Sequence, residues 1–309
     1  MKYLIKITFI IILISLSAVK AQDKFECRRL TFHSERHGFP SWSPDGKFIV
    51  YQITTRNDSL GINGLWIISS NGGAPKQIYN GLAEHPKWSP DGNYIVFDAD
   101  TGKSIKMIPA EGGEAINFLP DSIHIGNGGL PCWSPDGSEI AFIERTGLSL
   151  CVYNMKTGNV KSIFSKEGLI PLPGGWTMDG KYILVALSDK QTRKSTMWKI
   201  SGDGKAEERI PGHNENFWRH IALSPDGSLI VYSAMEGKYL GLWVMLSEGG
   251  ATIPLTITAN AHNEAAVWSP DGKSIAYSSA RFGEGCIWIM NIDIDELKKE
   301  LSDLNKLNK

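Results

Sequence analysis

Trp42-Ser43-Pro44-Asp45-Gly46 returns intact at residues 88–92, 133–137 and 268–272. Two altered copies lie between them, Trp176-Thr177-Met178-Asp179-Gly180 and Leu223-Ser224-Pro225-Asp226-Gly227. The six aspartates, at 45, 91, 136, 179, 226 and 271, are separated by steps of 46, 45, 43, 47 and 45 residues. A six-fold repeat of that period specifies a propeller or a solenoid, because each unit buries its apolar faces only against its neighbours. The phrase itself is a turn. Proline presets φ, aspartate suits the third position, and glycine accepts the positive φ that closes it.

The second copy shows the whole unit. A short strand at 85–89 enters the turn, and a strand with alternating large residues leaves it at 93–97. A second turn at 100–103 leads to a strand at 104–108, and Glu111-Gly112-Gly113 turns the chain into a last strand at 115–118. Four strands joined by tight turns make one antiparallel blade. Trp66, Trp198, Trp243 and Trp288 occupy matching places in the third strand. They read, with the motif tryptophans, as packing between neighbouring twisted sheets. The expectation is an all-β, six-bladed propeller over residues 22–294. Its sixth unit stops after three strands, whereas residues 28–32 look like a fourth strand with no blade of their own. The N-terminal strand is therefore expected to complete the last blade, with Leu30 opposite Trp288, and so remove both open sheet edges.

The ends and the composition bound the rest. Lys2 and Lys6, the apolar run 5–16 and Val19-Lys20-Ala21 read as a secretory signal peptide over residues 1–21. A periplasmic or secreted protein follows, with no membrane span after cleavage. Removing three lysines leaves 29 basic against 33 acidic residues, a net charge of −4. With no basic stripe, nucleic acid is not an expected partner. Cys27, Cys132, Cys151 and Cys286 form no metal-binding spacing. Their places in the strands keep them too far apart for disulfides. Leu297, Leu301 and Leu304 fall on one face of a helix within residues 295–309. That helix either caps the ring or docks a partner. A monomer is expected.

The repeated Trp-Ser-Pro-Asp-Gly blade resembles the TolB-like β-propeller repeat family, a WD-repeat-like group, over nearly all of residues 28–291. The resemblance implies a periplasmic propeller that docks another protein. It extends to the propeller only: no room is expected for the α/β domain that precedes the propeller in TolB itself. Similar propellers also precede the hydrolase domain of prolyl-oligopeptidase-like serine peptidases. No Gly-x-Ser-x-Gly elbow is present here, so that activity is not expected.

The loops entering each first strand ring the mouth of a propeller's channel, and all seven histidines of the chain lie in them. Only blade four, with residues 169–175, offers nothing polar there. Three readings stay open: polar loops with no further role, a binding mouth, or a metal centre. The binding reading takes a protein or peptide segment at His37, Glu84, His85, His124, Trp218, Arg219, His220, His262 and Glu264, with no catalytic residue and no cofactor. Trp218 stands outside the strand series and, beside Arg219, forms the kind of aromatic–cationic pair that anchors interfaces. The alternative is a metal-dependent carbohydrate-active enzyme, similar to pectin-fragment lyases, with His85, His220 and His262 around a divalent transition metal. Spacing weighs against it. His37 lies five residues before its tryptophan and His262 six, whereas His85 precedes Trp88 by three and His220 precedes Leu223 by three.

Overall fold

The structure is a computed structural model. It describes residues 25–307 except 33–34, 56, 101–102, 121, 126–128, 145–147, 213–216, 257–260 and 284, and of Trp218 the backbone alone. Strands are numbered in chain order. Six four-stranded antiparallel sheets stand around an axis, each with its first strand innermost. The inner strands are β2 (Arg36–Trp42), β6 (Ala83–Trp88), β10 (Cys132–Trp133), β14 (Leu169–Trp176), β18 (Phe217–Leu223) and β22 (Asn263–Trp268). Each packs on the inner strand of the next blade, and β22 packs on β2 to complete the circle.

Closure occurs as the repeat arithmetic predicts, with a one-residue correction. β1 (Cys27–Arg29) pairs with β24 (Cys286–Asn291) as the outer strand of blade six. Trp288 faces Arg29 rather than Leu30. The same offset appears in blade one, where Trp66 faces Gln77 beyond a bulge at Leu65/Trp66. Leu30 and Thr31 continue the seam: the Leu30 N–H donates to the Ile287 carbonyl, and the Ile287 N–H donates to Thr31 Oγ1 at 2.9 Å. None of the four cysteines is in a disulfide. Cys27 faces Met290, four residues along from Cys286. Cys132 and Cys151 stand two strands apart, about 10 Å.

All six turns share one hydrogen-bond pattern. The Ser43 hydroxyl donates to Asp45 Oδ1 at 2.6 Å and accepts from the Phe48 N–H at 2.9 Å. In blade four Thr177 makes the same bonds to Asp179 and Tyr182, while Met178 takes the proline's place and is exposed. The altered copy thus keeps the turn, because a threonine hydroxyl supplies the same donor and acceptor. The motif tryptophans reach back to the preceding blade. Trp176 Nε1 donates to the Cys132 carbonyl and Trp268 Nε1 to that of Ala222.

The chain ends in α1 (Ile294–Leu307), capped by Asp293, whose Oδ1 accepts from the Glu296 N–H. Leu297 and Leu301 are buried in the apolar cluster shared by blades five and six. Lys298 reaches Asp226, and Asn305 accepts from the Ala251 N–H. The helix lies across these two blades with its leucine face inward. Among the described residues, no helix is long and apolar enough to cross a membrane.

Candidate site at the channel

Each inner strand is interrupted at the residue three places before the blade tryptophan, or before Leu223 in blade five. There Phe39, His85, Leu130, His220 and Ala265 have φ of 49°, 52°, 51°, 60° and 55°. In β2, β6, β18 and β22 the pairing with the next strand slips across this point. A bulge with a left-handed residue takes the side chain out of the ladder and re-aims it. For a residue other than glycine it costs about 1–3 kcal/mol, and such strain gathers at functional sites. Blade four carries Pro173 at this place, and the proline ring forbids positive φ. Its slip falls at Gly174, between Pro173 and Gly175, with Gly175 at φ 151°. Gly174 is obligatory, because a Cβ there would collide with the Ile221 backbone oxygen of blade five.

Six residues therefore meet at one level: Phe39, His85, Leu130, Pro173, His220 and Ala265 all line a single void of about 60 Å³ on the axis. The Phe39 ring presents an edge-on contact to His85 at 4.2 Å between centroids and another to His220 at 5.3 Å. It thus touches two imidazoles that come from opposite blades, two and five.

His85 is fixed from behind. Its Nδ1 lies 2.7 Å from Asp98 Oδ2, and Asp98 is fully buried. Asp98 also accepts the N–H groups of Gly129 at 2.7 Å and Leu130 at 3.2 Å. The Nδ1–H donated to this carboxylate leaves Nε2 for the channel. A Cβ at Gly129 would press on the Ile105 side chain and approach Asp98.

His220 is held differently. Its side chain is only 12% exposed, and Nδ1 is buried without a hydrogen bond, 3.8 Å from Glu264 Oε2. Burial first, then the positive charges of Arg219, His85, Lys87 and Arg36, hold its pKa well below the ordinary 6.5. The imidazole is neutral at pH 7. Glu264 is shared with Arg36, at 3.3 Å.

On the mouth side of Phe39 the channel opens into a cavity of about 270 Å³, walled by Arg36, Glu84, Arg219, Gln52 and Leu172. Beside it a groove of about 630 Å³ runs over blades five, six and one, past His262, Glu264 and Met235. Glu84, His85, Arg219 and His220 are thus brought together, with His262 and Glu264 on the flank. His37 is not at the open mouth. It is fully buried, 2.8 Å from Thr31 Oγ1 and 5.3 Å from the Tyr51 ring, where it ties blade one to the closing seam. His124 is exposed and lines neither cavity. Trp218 belongs to β18, its side chain lying outside the described residues, as do His33 and His213.

The set His85, His220 and His262 is not assembled. His85 and His220 both line the axial void against Phe39, whereas His262 does not: its Nδ1 accepts the Leu240 N–H at 3.2 Å beside Tyr239. Among the described residues no three of histidine, cysteine, aspartate and glutamate converge as metal ligands. Two members of the site were not singled out by sequence reasoning. Phe39 is legible in retrospect, since it shares its offset from the tryptophan with both histidines. Asp98 is the only acid at its place in the six second strands, where the others carry Gln52, Ile143, Ala186, Ser233 and Ser278.

Comparison with known proteins fits this picture. An uncharacterized protein of Agrobacterium fabrum is 30% identical over 146 residues, 47% of either chain. The Tol-Pal system protein TolB of Anaeromyxobacter dehalogenans is 31% identical over 107 residues, 35% of this chain and 24% of that protein. The alignments thus span half or less of these curated relatives. TolB from Acinetobacter baumannii superposes with a TM-score of 0.63 at 18% identity, over 84% of this chain and 64% of that one. An oligogalacturonate lyase from Vibrio parahaemolyticus does so with 0.62 at 13% identity, over 88% and 96%. At such identities the superpositions speak for the fold alone. The family model described as the TolB beta propeller domain matches residues 17–220, about two thirds of the chain, and the protein belongs to that family.

Proposed function

We propose that the protein is a periplasmic, non-catalytic binding propeller that takes a protein or peptide segment into the mouth of its channel. The observation that carries this reading is the cavity above Phe39. It is open on one side, floored by an aromatic ring, and walled by charges of both signs, Arg36, Arg219 and Glu84, on strands held rigidly by the ring. Anchoring groups on a stiff scaffold lose little entropy on binding. The sequence relationship to TolB, a Tol-Pal system protein, supports a protein partner, and residues 1–21 support export.

The alternative, a metal-dependent carbohydrate-active enzyme, has a structural likeness to a lyase in its favour but lacks the converging ligands described above. The test is affinity capture from a periplasmic extract, followed by measured affinity for the captured partner. Arg219→Ala is expected to weaken binding by about thirtyfold, the scale of an interface hot spot of ~2 kcal/mol. Unchanged affinity in Arg219→Ala and His85→Ala would move the site elsewhere.

A further inference from the structure

The void below Phe39 is lined by three basic side chains, Lys87, His85 and His220, and by no acid among the described residues. The rest of its wall is apolar, with Leu130, Ile221 and Val267 among the residues that form it. Lys87 lies one residue before Trp88 on β6, facing blade three near Cys132. Among the described residues it has neither an ion pair nor a hydrogen bond, and desolvation pushes its pKa down. Cys132 does not supply the missing charge, since burial raises its thiol to about 12. Of the acids nearby, Asp98 is engaged with His85 and two backbone N–H groups and Glu264 with Arg36, while Glu84 lines the cavity above and not the void. Nδ1 of His220 turns to Glu264, which leaves Nε2 for the channel.

A desolvated ammonium with no acid, beside an imidazole whose one acid, Glu264, lies 3.8 Å from Nδ1 and is shared with Arg36, is an unfavourable arrangement unless an anion completes it. The apolar wall selects which anion. A carboxylate on a short hydrocarbon stem satisfies both surfaces, whereas a fully hydrated inorganic ion satisfies only one. The void suits this size, since a single water needs roughly 10–15 Å³ of such space. We propose that the axial void is a carboxylate site, in which Lys87 Nζ and protonated His220 Nε2 donate to the two oxygens and Phe39 covers the stem. Entry of the anion draws a proton from solvent onto His220, because a negative charge at Nε2 offsets the burial and the neighbouring positive charges that keep the ring neutral. This deepens the binding reading by naming the chemistry recognised. The carboxylate is either that of a free small acid or the terminal group of a peptide.

The test follows the imidazole titrations of the intact protein by NMR, in sodium acetate and in sodium chloride at equal ionic strength. Acetate is expected to raise the His220 midpoint by at least about one pH unit and to leave exposed His124 unchanged. Lys87→Met is expected to weaken the acetate effect at least tenfold, the loss of one charge-assisted hydrogen bond. Lys87→Gln serves as a second variant, and circular dichroism reports that both are folded. Tetraglycine and its C-terminal amide identify the source. A response to the acid but not the amide assigns the site to a peptide terminus, and a response to acetate alone assigns it to a free acid. Identical His220 titrations in acetate and chloride, or an acetate affinity unmoved by Lys87→Met, would overturn the proposal. Neither result touches partner capture at Arg219, so the two readings fail separately.

Discussion

Each inner strand has two ends, and they differ in how they use the repeat. At the outer end the six turns are chemically uniform. A serine or threonine hydroxyl donates to the aspartate in every blade, at 2.6–2.7 Å. Three residues before the tryptophan, five of the six backbones are again alike, all left-handed with φ between 49° and 60°. Yet the side chains there are Phe39, His85, Leu130, Pro173, His220 and Ala265, only the histidine occurring twice. Where backbone and side chain repeat together, the residues build the ring. Where the backbone repeats at a cost in strain and the side chains diverge, the scaffold is presenting something to the axis.

This contrast is breakable by mutation. The largest effect is expected on the architectural side. Trp268→Ala removes a buried ring and its bond to the Ala222 carbonyl, and should cost about 3–5 kcal/mol in denaturant unfolding. A loss below 1 kcal/mol would mean that the blades do not depend on the motif tryptophans.

Next comes pH. His220 has its pKa lowered in the folded protein, so between that value and 6.5 the unfolded chain binds the extra proton. Stability contributed by this group is therefore complete above pH 6.5 and is lost as the pH falls below it, by up to about 1.4 kcal/mol per unit. His220→Gln should flatten that slope in unfolding measured between pH 7 and 5. The turns act in a different window. Hydrogen bonds from Ser43, then from the Lys47 N–H, hold Asp45 down to about 2, so its contribution is present above 3.8 and fades only as the pH drops towards 2.

Ser43→Ala should cost about 1 kcal/mol, the net worth of the hydroxyl's bonds, with no change in partner binding. The smallest change is expected at Ala265, whose left-handed backbone suits glycine better. Ala265→Gly should raise stability by no more than about 1 kcal/mol, the relief of strain being partly offset by unfolded-state entropy. A marked loss of stability there would remove the argument that the bulge is strained.

Most of the fold was legible in the chain because a turn motif declares its period, and the missing fourth strand of the last blade has one available donor. The register of that strand was legible only to one residue, since the bulge at Leu65/Trp66 leaves no mark in composition. The site was legible as a region but not as a geometry. Loop histidines look equivalent in a sequence, yet alternation along β2 sends His37 into the seam with Thr31, while the bulge sends His85 and His220 to the axis. The shared offset from the tryptophan carries that distinction, and it also admits Phe39. Asp98 escaped because its role depends on the Gly129 and Leu130 N–H groups of the next blade, a contact that no spacing reveals.

The claim that one end of the inner strands binds while the other builds is tested most directly by paired photo-crosslinking. A photoreactive residue replaces Glu84 at the mouth in one protein and Asp91 in the turn of the same blade in another. Crosslinking in cells to one partner band from position 84, absent from position 91, is the predicted result. A partner captured from position 91 and not from 84 would contradict the account.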